Sequence, residues 1–310
     1  MRKNKHLWHG WSASRKALAG LMAVFGLALG SGCAYLEVKQ KELIWRPSAT
    51  TWWSNFDVKA NGVEELWIAR GGNPAVSSEG ATDESNGERL HAWWWPNTRL
   101  DAPVMLYLHG ARWNLQGNAF RIARFRSMGF SVLAIDYRGF GKTGGDLPTE
   151  EDACADAAIA WGHLRKLVPD ASRRYVYGHS LGGALAIDLA SRHDDLAGII
   201  VESTFTSIRD MAGTYTLLRF LPIGLILTQK YDSLARIEKV HVPKLFVHGA
   251  RDTFVPPWMT EQLFERATGE KRLLVVEGAN HSNATGVGFE QYRTALQELF
   301  RISPQRSAGL

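Results

Sequence analysis

From Ala102 onward the chain alternates short, unbroken apolar runs with longer amphipathic stretches. "PVMLYLHG", "FSVLAIDYRG", "RRYVYGHS", "LAGIIVEST", "VPKLFVHGARD" and "EKRLLVVEGANH" are too short for helices and end in glycine or polar residues. Such runs predict strands buried on both faces of a sheet. Between and after them, "FRIARFRSMG", "TEEDACADAAIAWGHLRKL", "LGGALAIDLASRH", "WMTEQLFERA" and "FEQYRTALQELFR" read as helices. Thr149 is placed to cap the second of these, with Asp152 completing a capping box. Strand and helix in alternation predict the α/β class, with a mostly parallel central sheet covered by helices on both faces. The interval from Thr206 to Ile237 breaks the rhythm. It is too long for a plain connection and too apolar for a surface loop, which predicts a short helical cap at about 206–237.

Upstream, "VEELWIA" and "ERLHAWWWP" read as two aromatic-rich strands, with Trp93, Trp94 and Trp95 as strand and interface packing. The polar stretch "RGGNPAVSSEGATDESNGE" between them predicts a long exposed loop. The plan along the chain is a leader at 1–32, an extension with aromatic anchors at 33–62, one α/β domain at 63–303 and a tail at 304–310.

The leader opens basic and polar, "MRKNKHLWHGWSASRK", and continues apolar and uncharged, "ALAGLMAVFGLALGSG". That is the layout of a secretory signal peptide. The run ends at Cys33 in "LALGSGCA", which resembles a bacterial lipoprotein cleavage site with Cys33 as the lipidated residue. A membrane-anchored protein of a bacterial cell envelope is therefore expected. An uncleaved signal-anchor and simple secretion, including a periplasmic protein, are the alternatives.

Composition then removes other classes. The net charge of +5 is matched by the five basic residues Arg2, Lys3, Lys5, Arg15 and Lys16 of the leader, which holds no acid. The rest of the chain is neutral, and no nucleic-acid partner is expected. The two cysteines, Cys33 and Cys154, suffice for neither a disulfide framework nor a typical zinc site. Cys154, on a helical pattern, reads as a small buried residue. No cofactor and no metal are expected.

One stretch carries the chemistry. In "YVYGHSLGGA", Gly178-His179-Ser180-Leu181-Gly182 is G-x-S-x-G between a predicted strand and a predicted helix. This is the setting of a nucleophile elbow, a tight turn that lifts a serine hydroxyl above the sheet. A serine nucleophile needs a base, and the base needs an orienting carboxylate. His281 in "VEGANHSN" and Asp252 in "VHGARDTFVP" both follow strands, where open α/β sheets build their sites. His248 is a rival base and Glu202, ending "GIIVE", a rival acid. The oxyanion of a tetrahedral intermediate needs backbone donors. Leu181, after the nucleophile, supplies one. Ala111 in "YLHGARWN" supplies the other, with Arg112 as its rival. "RGFGKTGG" ends like a phosphate-binding loop, but Asp136 stands where that motif needs its first glycine, so no ATP site is implied.

"LHGA", "DYRGFG", "GHSLGG", "HGARDTFVP" and "GANHS", in this order, resemble the α/β-hydrolase superfamily over roughly Leu90 to Phe300. The short cap and the "KELIWRP" lead-in resemble the BEM46/ABHD13-like serine hydrolases, often membrane-associated. The resemblance implies an α/β-hydrolase fold and a triad in the chain order Ser180, Asp252, His281, an order that disfavours His248. It implies an ester or acyl-lipid hydrolase working through an acyl-enzyme, with a small-molecule or lipid acyl substrate. Superfamily members that open epoxides or remove halide use an aspartate where this chain has Ser180. An acyltransferase or thioesterase with the same triad is the alternative, and a non-catalytic membrane-tethered scaffold the alternative of another class.

Overall fold

The computed structural model describes residues 32, 34–47, 56–70, 88–215 and 223–302. The leader, Cys33, "TTWW" at 50–53, the stretch 71–87 of the expected loop and the tail lie outside the described residues. No helix among the described residues is long and apolar enough to cross a membrane.

All eight expected strands are present. They are β1 (Glu64–Ala69), β2 (Arg89–Trp95), β3 (Val104–Leu108), β4 (Ser131–Ile135), β5 (Arg174–His179), β6 (Gly198–Glu202), β7 (Lys244–Gly249) and β8 (Lys271–Val276). They form one sheet in the order β1-β2-β4-β3-β5-β6-β7-β8. Pairing is antiparallel from β1 through β2 to β4 and parallel from β4 onward.

The apolar runs are continuous because each face of the sheet has its own core. Along β3, Val104, Leu106 and Leu108 point into one cluster, and Met105 and Tyr107 into the other. Side chains on a strand alternate faces, so a strand covered on both sides has no polar face to show. Helices α3 (Glu150–Leu167), α4 (Leu181–Ala190) and α8 (Pro257–Arg266) close the first cluster through Trp161, Leu185 and Leu263. Helices α2 (Leu115–Ser127) and α9 (Phe289–Phe300) close the second through Phe125 and Tyr292. The three tryptophans divide in the same way. Trp93 and Trp95 pack with Phe56 on the second cluster, and Trp94 lies against the first.

The Thr149 cap forms as expected. Its hydroxyl accepts from Asp152 N, and the Asp152 carboxylate accepts from Thr149 N at 3.1 Å. A cap of this kind contributes about 1 kcal/mol. Cys154 is buried on α3, and that burial pushes its thiol pKa up, which keeps it protonated and unreactive.

The lead-in departs from expectation. Residues 34–45 are a helix, α1, which ends ahead of Arg46-Pro47. Three of its apolar side chains, Leu36, Val38 and Leu43, face solvent, so no apolar stripe marks it in sequence. Its buried anchor is Trp45, whose ring packs on Tyr137, Phe140 and Tyr231 and whose Nε1 donates to Pro148 O at 2.9 Å. The cap holds α5 (Ile208–Gly213), α6 (Ile223–Ile226) and α7 (Ser233–Ile237). Gln40 ties α1 to it, donating to Ile226 O at 2.9 Å and accepting from Thr228 N at 2.9 Å.

Candidate active site

Ser180 lies between β5 and α4 with φ at +53°, a left-handed conformation that a non-glycine residue adopts only when its surroundings impose it. They do so here by close approach. A Cβ on Gly178 would come within 2.1 Å of Gly182 O, so the strand and the new helix could not meet as they do. The turn is held by Ser180 N donating to Glu202 O at 2.8 Å and by the Thr204 hydroxyl donating to Ser180 O at 2.8 Å.

His281 and Asp252 meet this serine. His281 Nε2 is 3.1 Å from Ser180 Oγ, and its Nδ1 is 2.8 Å from Asp252 Oδ2. The carboxylate fixes the tautomer, because only an Nδ1–H can donate to it. Nε2 then carries the lone pair that faces the hydroxyl. Asp252 Oδ1 accepts from the Phe254 and Val255 amides, both at 2.9 Å. Burial works to raise the Asp252 pKa, but hydrogen bonds from His248 and His281 outweigh it and hold the carboxyl well below its ordinary range.

The two rivals are engaged elsewhere. His248 Nδ1 meets the Thr260 hydroxyl at 2.7 Å, and its Nε2 lies 2.9 Å from Val255 O and 3.1 Å from Asp252 Oδ2. It steadies the carboxylate and leaves neither nitrogen free for Ser180. Glu202 is fully buried and accepts from the Tyr177 and Tyr292 hydroxyls at 3.0 and 2.7 Å.

Two turns place the backbone amides expected to serve an oxyanion. Leu181 is the first residue of α4, where a helix N–H has no intrahelical acceptor and the helix dipole favours negative charge. Gly110 lies against the elbow, since a Cβ there would come within 3.2 Å of Ser180 Cβ. Arg112 N donates to Trp45 O at 2.8 Å, which removes it as a donor and leaves Ala111 N–H in this loop. The Tyr137 hydroxyl donates to His109 O at 3.1 Å from below.

Three supports escaped the sequence reading. His179 Nε2 is 2.7 Å from His281 O and donates to it; burial drives the His179 pKa far down, so the ring is neutral. Arg121, fully buried on α2, donates to Ser282 O at 2.7 Å and lies 3.6 Å from Glu202. The third is Trp45 O. Nothing in "FRIARFRSMG" separates Arg121 from its neighbouring arginines, because its partners stand far away in sequence. The Gly141-Lys142-Thr143 turn is structural, with Lys142 paired to Glu65 and Thr143 bonded to Asp136 O and His91 N.

A cavity of about 710 Å³ opens over Ser180 and His281. The cap lines it with Ile208, Met211, Ile223 and Leu227, and α1 with Leu43 and Ile44. Phe254 packs edge-on against the His281 ring at 5.0 Å and joins the wall. Among the described residues, no group of acids, histidines and cysteines is arranged to hold a metal ion.

Comparison with known proteins follows this geometry. The family model described as serine aminopeptidase, S33 (Hydrolase_4) matches residues 101–230. An uncharacterized Mycobacterium tuberculosis protein is 29% identical over 265 residues, covering 85% of this chain and 88% of that one. Protein bem46 of Schizosaccharomyces pombe is 35% identical over 167 residues, or 52% of this chain and 55% of its own. An esterase of Pyrococcus furiosus superposes with a TM-score of 0.62 at 19% identity, covering 82% of this chain and 97% of that one. With a mostly parallel sheet, a serine elbow at the end of β5 and these likenesses, the chain is an α/β-hydrolase similar to the BEM46 proteins.

Proposed function

We propose that this protein hydrolyses carboxylic esters of apolar acyl groups through an acyl-enzyme on Ser180. The observation that carries the reading is the unbroken chain Ser180–His281–Asp252 at 3.1 and 2.8 Å beneath a largely apolar cavity. His281 takes the Ser180 proton as Oγ attacks the ester carbonyl. The carbonyl oxygen becomes an oxyanion held by the Leu181 and Ala111 amides. His281 then gives the proton to the departing alcohol. Water, deprotonated by the same imidazole, releases the acid and restores Ser180. Asp252 holds the ring and stabilises the imidazolium in both halves. The esterase named among the structural neighbours agrees with this chemistry.

The family model's description raises peptide hydrolysis as a second reading. An aminopeptidase recognises a free ammonium, which calls for a carboxylate in the pocket. Among the described residues, no aspartate or glutamate lines this cavity. Ester substrates fit better.

The cap sets the acyl length in this reading. Leu225, on the exposed side of α6, is 87% exposed and does not line the cavity, and Leu217 lies outside the described residues. Met211 and Leu227 are the wall. Each methylene buried there contributes about 0.8 kcal/mol, close to fourfold in kcat/KM. Met211→Trp and Leu227→Trp should therefore shift the preferred acyl chain downward in a series of p-nitrophenyl esters of graded length. An equal loss on every chain length would show that the cap supports the fold and does not select the substrate.

We further propose that the protein is held at a bacterial envelope membrane through Cys33, from the leader pattern alone. Cys33→Ala should abolish incorporation of a labelled fatty acid and leave the precursor uncleaved. Normal processing and membrane partition of that variant would remove the proposal.

A further inference from the structure

Among the described residues that line the cavity are two arginines, Arg46 and Arg112, and no carboxylate. Neither guanidinium shares an ion pair or a hydrogen bond with another described residue. The nearby acid Glu42 on α1 is committed to Lys39. Both arginines have left-handed backbones, φ +44° at Arg46 and +87° at Arg112. A non-glycine residue there costs of order 1–3 kcal/mol and persists where the surroundings fix it. The bond from Arg112 N to Trp45 O fixes it, and it joins the two segments one residue from Arg46. In sequence, Arg112 directly follows Ala111, the expected oxyanion donor.

We propose that Arg46 and Arg112 form a headgroup subsite that selects acyl esters whose alcohol carries an anionic phosphate or carboxylate group. The inference rests on the ester-hydrolase reading and names its substrate class. The apolar chain lies against the cap and the scissile carbonyl over Ser180. The alcohol side is left to the oxyanion-loop rim, and Arg46 and Arg112 are among the residues that line the pocket. An arginine fork matches the oxygens of phosphate or carboxylate in two parallel bonds. Both arginines are exposed, so a headgroup can reach them and added salt screens their field.

The test compares one acyl chain on different alcohols. Dodecanoylglycerol is neutral and dodecanoyl glycerophosphate is anionic, and the readout is the ratio of their kcat/KM values. The wild-type ratio should favour the anionic ester about tenfold or more, through KM, and should fall as salt is raised. Arg46→Glu should lower the ratio about tenfold or more. Arg112→Gln should lower it in the same direction, and Arg46→Lys should retain part of it. The ratio cancels any general loss of activity. A wild-type ratio near one, or a ratio unmoved by Arg46→Glu, overturns the subsite and leaves the ester-hydrolase reading standing. If neither ester is cleaved and Ser180 reacts with no fluorophosphonate, the ester-hydrolase reading itself fails and takes the subsite with it. Calorimetry on Ser180→Ala separates the sources of the anion. Dodecyl phosphate should bind, and inorganic phosphate at the same concentration should not. Equal binding of the two would mean a plain anion site and overturn the headgroup proposal.

Discussion

Ser180→Ala abolishes labelling by a fluorophosphonate probe and lowers ester turnover about 10⁴-fold or more, while the folded protein persists. The size follows from the route. Without Oγ no acyl-enzyme forms, and the Leu181 and Ala111 amides have only a water attack to assist. The fold persists because the elbow is held by backbone bonds, from Ser180 N to Glu202 O and from the Thr204 hydroxyl to Ser180 O, which alanine keeps. The hydroxyl's partner in the site is the His281 ring, which keeps its bond to Asp252. Gel fluorescence after probe treatment, with a thermal melt of the same sample, reads both halves. Full labelling of the variant would show that another residue is the nucleophile.

Asp252→Asn has the second largest effect, a loss in kcat of the order of 10⁴ with little change in KM. An asparagine amide can present a donor to Nδ1. The imidazole then turns its N–H toward Ser180 and cannot accept the serine proton. Asp252 itself stays ionised well into acid, because its pKa lies well below the ordinary carboxylate value. The sign for stability follows. A carboxyl with a depressed folded pKa contributes stability that is present above its unfolded pKa, about 4, and is lost as pH falls toward the folded value. Wild type should therefore lose melting temperature in acid more steeply than Asp252→Asn. If Glu202→Gln instead proved crippling at a preserved melting temperature, and Asp252→Asn mild, the acid would be Glu202.

The strands were legible because each is an apolar run closed by a glycine or polar turn, and β3 through β8 needed only that rule. The triad was legible because its three members follow strand ends, where chain order and position carry the information. The supports were not. Arg121 meets Glu202 and Ser282 across the second core, a pairing made by tertiary packing of α2 against β6 and the His281 loop. The sequence reading took Ala111 over Arg112, but the contact that separates them lay beyond it. It depends on one carbonyl, Trp45 O, at the end of a helix whose apolar side chains mostly face outward.

If Cys33 carries the proposed anchor, helix α1 would also act as a ruler. Gln40 and Leu43 on this helix line the pocket mouth. An α-helix rises 1.5 Å per residue. An attachment at position 33 would stand seven residues from Gln40, on the order of 10 Å of helical rise. Such a tether gives the mouth almost no working height above the surface that holds it. The enzyme would sample what lies in that surface and little of the solution beyond, and its effective substrate concentration would be set in two dimensions. Inserting whole helical turns between residue 33 and Gln40 would lift the mouth in steps of about 5.4 Å and leave every catalytic atom where it is.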